Sequence, residues 1–103
     1  SAATDVYKRQ SNPEHLYFAC SKEDAEEYLE HGLYPGDRNM VHLSSTRLNA
    51  LEAGRHIIGK PIVLLVDVKS AEAGGNEIMK AGTTVYLSKE LSGEHLKQLP
   101  DST

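Results

Sequence analysis

Apolar and polar positions along the chain switch between a period of two and a period near 3.6, and each switch marks an element. His15-Leu16-Tyr17-Phe18-Ala19 is a short apolar and aromatic run following Pro13, and it reads as a strand. Ser21 then stands as an N-cap, with Asp24 three residues on in a capping-box arrangement. Ala25, Tyr28 and Leu29 fall at i, i+3 and i+4, so one stripe of a helix faces a core while Glu23, Glu26, Glu27 and Glu30 face water. Gly32 is placed to end that helix, and Leu33-Tyr34-Pro35-Gly36 is turn chemistry. Met40-Val41-His42-Leu43-Ser44 predicts the next strand. Ser45 or Thr46 caps a second helix that carries Leu48, Ala50 and Leu51 and ends near Gly54 or His56.

Pro61 opens Ile62-Val63-Leu64-Leu65-Val66-Asp67-Val68, whose apolar run lacks the alternation of a half-exposed strand. It predicts a central strand covered on both faces. Residues 71–76 read as a Gly-rich loop, 77–80 as an edge strand, 83–87 as a β-branched strand and 92–99 as a short helical turn before the tail at Pro100. The pattern predicts a small α+β domain with two helices inserted early and strands concentrated late.

At 103 residues there is room for one domain, and 39% apolar with 25% charged residues implies a modest core rather than disorder. A net charge of −4 argues against holding long duplex nucleic acid by phosphate neutralisation alone, although a local basic groove remains compatible with it. The single Cys20 excludes a disulfide within the chain and, with no His/Cys cluster at ligand spacing, argues against bound metal. No run approaches the roughly 18 apolar residues of a membrane span, and no signal peptide is readable. A cytoplasmic protein without membrane partners is the expectation. Residues 1–10 form a separate segment: Ser1-Ala2-Ala3 resembles a cloning scar, and Asp5-Val6-Tyr7-Lys8-Arg9-Gln10 resembles a translated sequencing adapter. The other reading of that segment is a basic arm in which Lys8 and Arg9 touch phosphates. The folded domain is expected to occupy residues 11–103.

The stretch richest in chemistry is Arg38-Asn39-Met40-Val41-His42-Leu43-Ser44-Ser45. On a strand, Met40, His42 and Ser44 project to one face with Arg38 at its mouth. Arg38 offers a planar fork for phosphate oxygens, His42 can hydrogen-bond a ribose hydroxyl or base edge, and Ser44 can support either. Spacing alone equally allows a structural His42 and an Arg38 paired with Asp37 or Glu52. Cys20 has no neighbour that activates a thiolate, so a buried apolar role is expected for it. His15, His31, His56 and His95 are expected to be solvated or capping, and Arg47, Arg55 and Lys60 to form at most a basic rim.

The order of these segments resembles the catalytic lobe of the RNA 2′-phosphotransferase family, through nearly all of residues 15–99. Leu16-Tyr17-Phe18-Ala19-Cys20 stands where the family has Leu-Tyr-His-Gly-Thr, followed by a helix and the pair Gly32-Leu33. Arg38-Asn39-Met40-Val41-His42-Leu43-Ser44 is similar to its Arg-x-x-Val-His-Leu-Ser segment. Gly59-Lys60-Pro61-Ile62-Val63-Leu64 is similar to its Gly-x-Pro-Val-Val-Leu strand, and Val85-Tyr86-Leu87-Ser88 to its Val-Trp-Leu-Thr.

The resemblance implies an ADP-ribosyltransferase fold, a split β-sandwich with NAD as substrate in its cleft. It also implies tRNA processing, with transfer of an RNA 2′-phosphate to the NAD ribose, loss of nicotinamide, and release of a cyclic phosphate of ADP-ribose. Arg38 and His42 take the catalytic positions; Tyr17, Phe18, His42, Ser44 and Val85 take those around the dinucleotide. The partners implied are NAD or ADP-ribose and RNA bearing a 2′-phosphate, without metal. Phe18 replaces a His and can only stack or fill space. Ala81 and Thr83-Thr84 replace polar groups, and the family's basic N-terminal lobe has no counterpart among these residues. Weakened transfer is therefore expected; the alternatives are a non-catalytic module binding nucleotide, ADP-ribose or RNA ends, and a partner-binding factor reusing the fold.

Overall fold

A computed structural model describes residues 12–36, 39–57 and 59–100 of the chain. Residues 1–10 and Arg38, both singled out by the sequence, lie outside the described residues. The elements run β1 (His15–Cys20), α1 (Lys22–His31), β2 (Val41–Ser44), α2 (Arg47–Ala53), β3 (Ile62–Asp67), α3 (Val68–Ala73), β4 (Ile78–Lys80), β5 (Val85–Ser88), a 3-10 turn (Gly93–His95) and β6 (Leu96–Gln98). The architecture is α+β: a six-stranded antiparallel sheet in the order β4-β5-β2-β1-β3-β6 with helices on its faces.

The sheet is two three-stranded blocks joined by one rung. β1 pairs with β3 along its whole length, from His15↔Asp67 to Cys20↔Ile62, and β2 pairs with β5 from Val41↔Ser88 to Ser44↔Val85. Between the blocks, β1 and β2 pair only at Tyr17↔Ser44. The resemblance implies a split β-sandwich; the described residues instead form one sheet, split along β1 and β2 beyond that rung into a seam.

Side chains paired across a ladder share a face, and alternate residues share it along each strand. Leu16, Leu43, Leu64 and Val66 are at most 1% exposed and face Ala25 of α1 in the main core. The opposite face carries Ala19 and the buried Val63, and α2 covers it with Ala50. A Cβ built on Gly54 would lie 2.9 Å from Cβ of Ala19, so the end of α2 approaches β1 too closely for a larger residue. Local signals set the helix ends: the hydroxyl of Ser21 accepts from the Asp24 amide at 3.1 Å, and that of Thr46 from the Asn49 amide at 3.0 Å. Gly32 ends α1 at φ 99°, a conformation that favours glycine.

Four expectations are corrected. β3 is interior, hydrogen-bonded to β1 and β6, but β1 and β2 hold the middle of the sheet. The strand stops at Asp67, whose carboxylate accepts from the Ser70 amide at 3.1 Å and starts a third helix where a loop was expected. Residues 92–99 form a single 3-10 turn and then β6, because Leu96–Gln98 find partners in Leu64–Val66. His95 is not solvated: it is 5% exposed, with Nδ1 at 2.7 Å from the Ser70 hydroxyl, and it ties the 3-10 turn to α3.

Candidate functional site

Where β1 and β2 part, the seam opens into a cavity of about 630 Å³. That volume lies within the range of small-molecule sites, about 300–1,000 Å³. Both faces of the sheet reach it. Tyr17, Ala19, His42, Ser44 and Val85 come from the side covered by α2, and Phe18, Cys20, Val41 and Leu43 from the side covered by α1. Ala50 and Ala53 of α2, the Gly54 that caps it, and Asp24 and Tyr28 of α1 also line it, and Tyr34 and Pro35 stand in the loop between α1 and β2. A ligand here would touch both blocks of the sheet.

Each candidate residue is placed by its strand. In β2, Val41 and Leu43 point into the core while His42 is exposed, as the period of two requires. The His42 ring holds Nδ1 at 3.2 Å from the Met40 carbonyl; a carbonyl only accepts, so Nδ1 carries the proton in that contact. Ser44 sits on the seam rung with Tyr17, and across β5 it faces Val85. Val85 is fixed by the turn before it, where the amides of Ala81 and Gly82 donate to its carbonyl at 2.8 and 3.1 Å. Tyr17, Phe18, His42, Ser44 and Val85 thus meet in one cavity. Arg38 lies outside the described residues.

Asp24, Tyr28, Tyr34, His56 and Ile57, none of which the sequence pattern assigns to the site, also line the cavity. Tyr28 belonged to the apolar stripe of α1, and Tyr34 was hidden in a turn whose residues are otherwise conformational. Phe18 packs edge-on against Tyr28 with ring centroids 5.9 Å apart, and Tyr28 packs edge-on against Tyr34 at 5.6 Å. Burial, then the nearby Asp24 carboxylate, raises the Tyr28 phenol above its ordinary range, so it keeps its proton.

Cys20 is buried, and burial followed by repulsion from Asp24 pushes its thiol up to about 12. A protonated thiol is a poor nucleophile, so Cys20 is apolar filling at the cavity floor. Alkylation of the native protein at pH 8 is expected to be slow and to become rapid on unfolding; rapid labelling of the native state would contradict this assignment. The folded thiol keeps its proton between pH 9.0 and about 12, a window in which the unfolded thiol loses it. The unfolded state then binds fewer protons, so this group's contribution to stability declines as pH rises through that window.

Among the described residues, no group of three or more His, Cys, Asp or Glu side chains is placed to hold a metal ion, and no helix is long and apolar enough to cross a membrane.

Residues 2–90 match the family described as "RNA 2'-phosphotransferase, Tpt1 / KptA family". Similar proteins include a "Probable RNA 2'-phosphotransferase" of Agrobacterium fabrum, 37% identical over 92 residues, which are 88% of this chain and 48% of the relative. One of Pseudomonas paraeruginosa, described in the same words, is 32% identical over 95% of this chain and 53% of its own length. One of Thermoplasma acidophilum is 32% identical over 82% of this chain and 36% of its own length. The chain spans between about a third and a half of the length of these curated relatives.

Proposed function

We propose, since this chain belongs to the RNA 2′-phosphotransferase, Tpt1/KptA family, that the seam cavity takes NAD as a substrate and an RNA 2′-phosphate as acceptor. The observation that carries the reading is the convergence of Tyr17, His42, Ser44 and Val85 from both blocks on one opening of suitable size. Hydroxyl and imidazole groups suit ribose hydroxyls, and the aromatic and Val85 surfaces suit flat apolar rings. NAD would supply an electrophilic ribose carbon, C1″, to which the RNA 2′-phosphate bonds as nicotinamide leaves; attack of the neighbouring ribose 2″-hydroxyl on that phosphorus would then break its bond to the RNA, freeing a 2′-hydroxyl RNA and ADP-ribose 1″,2″-cyclic phosphate.

This chain's residues contribute position and charge rather than a covalent nucleophile. His42, whose Nδ1 lies at 3.2 Å from the Met40 carbonyl, brings its imidazole to the cavity wall, where it recognises a ribose hydroxyl. Ser44 and Tyr17 stand on the rung that ends the opening, where their hydroxyls orient the sugar. Val85 gives an apolar contact, and Arg38 engages phosphate oxygens through its fork. Phe18 supports a second reading, a module that binds the dinucleotide with little turnover, because its ring cannot donate or accept as the family's His does.

Calorimetric titration with ADP-ribose and with NAD tests the reading. Both are expected to bind at millimolar concentration or below, and Arg38→Ala is expected to weaken binding by at least about tenfold, from a charge-assisted contact of about 1.5–3 kcal/mol. Absence of binding to the wild type at millimolar ligand would remove the cavity as a nucleotide site and leave the partner-binding reading.

A further inference from the structure

Tyr34 is a large aromatic side chain left 41% exposed at the edge of the cavity, with its ring packed against Tyr28. Its backbone is held on both sides. Leu33 exchanges two backbone hydrogen bonds with Leu91, at 2.7 and 2.8 Å, and Pro35 restricts the residue before it to extended conformations. Gly32, two residues before Tyr34, leaves no room for a side chain, since a Cβ there would lie 2.8 Å from the Leu91 carbonyl oxygen. A tyrosine has two side-chain torsions to freeze, and here the ring is already supported by Tyr28 and, behind that, by Phe18. Such a preorganised, half-wet ring loses little entropy when a flat partner covers it.

We propose that Tyr34, backed by Tyr28 and Phe18, is a specificity-determining stacking platform for a heteroaromatic ring of the dinucleotide bound in the seam cavity. The inference rests on the proposed function and deepens it by naming the side chain that recognises a ring. Two rings of NAD share the required chemistry, adenine and nicotinamide. A sugar phosphate without a ring gains nothing from the platform.

The test is calorimetry of the full chain and its Tyr34→Phe and Tyr34→Ala variants with ADP-ribose, nicotinamide mononucleotide and ribose 5-phosphate, with thermal melts to show that each variant is folded. Base stacking on an aromatic side chain is lost on alanine substitution, so Tyr34→Ala is expected to weaken a ring-bearing ligand about tenfold. Tyr34→Phe should bind within about twofold of wild type, because the phenol hydroxyl is not needed for stacking. A loss confined to ADP-ribose assigns the platform to adenine, and one confined to nicotinamide mononucleotide assigns it to the other end. Unchanged affinity of Tyr34→Ala for both ring ligands would overturn the platform while leaving the nucleotide site intact. An equal loss for ribose 5-phosphate would also overturn it, since that ligand has no ring. Failure of the wild type to bind any of the three would overturn the proposed function and the platform together.

Discussion

Leu64→Ala is expected to lower the free energy of unfolding by about 2–5 kcal/mol, the range for truncating a fully buried leucine. Leu64 is 0% exposed on β3, opposite Phe18 on one side and Gln98 on the other. Its removal leaves a void between the sheet and α1 that the paired backbones of β1, β3 and β6 resist filling. A modest core makes such a loss large against the total stability of a small domain. Leu48→Ala is the matched control: Leu48 is 75% exposed on α2, and its truncation should fall within about 0.5 kcal/mol. Urea titration of both variants checks the pair, and equal midpoints for Leu64→Ala and wild type would mean that β3 does not anchor the core.

The second large effect is on rate. Phe18→His should raise nicotinamide release from NAD by about 100-fold or more, because one oriented polar group at a reacting centre commonly contributes about 100–1,000-fold. Phe18 is half-buried at the seam, so an imidazole there keeps contact with solvent and with the cavity. ADP-ribose affinity should change far less, since the gain lies in the transition state. An unchanged rate in a folded Phe18→His variant would mean that another departure, such as Ala81 or Thr83, limits turnover.

Local chemistry made much of this fold readable in advance. The hydroxyls of Ser21 and Thr46 cap the helices that follow them, and the period of two in Val41-His42-Leu43-Ser44 separates core from exposed residues. The sequence carries β3 one residue too far, to Val68, because Asp67 interrupts an apolar run with a cap, and only the contact to the Ser70 amide distinguishes it from a strand carboxylate. The sequence suggests a helical turn at β6, because Leu96-Lys97-Gln98 owe their extended form to partners some thirty residues earlier on β3, which no local pattern reports. The same holds for the buried His95, whose hydrogen-bond partner Ser70 lies twenty-five residues away.

The site divides along the same line. Residues on a periodic strand, such as His42 and Ser44, could be assigned a face from the sequence. The place where the sheet splits could not, because it depends on β1 and β2 sharing only the Tyr17↔Ser44 rung. That seam is what brings Phe18, from the core-facing register, into one cavity with His42 from the other. Tyr34 escaped notice because turns are read for glycine and proline rather than for what their side chains cover.

Nicotinamide release from NAD, measured with a 2′-phosphorylated RNA oligonucleotide and with the same oligonucleotide lacking the 2′-phosphate, tests the central claim most directly. The seam cavity as a 2′-phosphotransferase site predicts slow release that requires the 2′-phosphate, is accompanied by its loss from the RNA, and disappears in His42→Ala. Release that is indifferent to the 2′-phosphate, or no release from either wild type or Phe18→His at millimolar NAD, would contradict it.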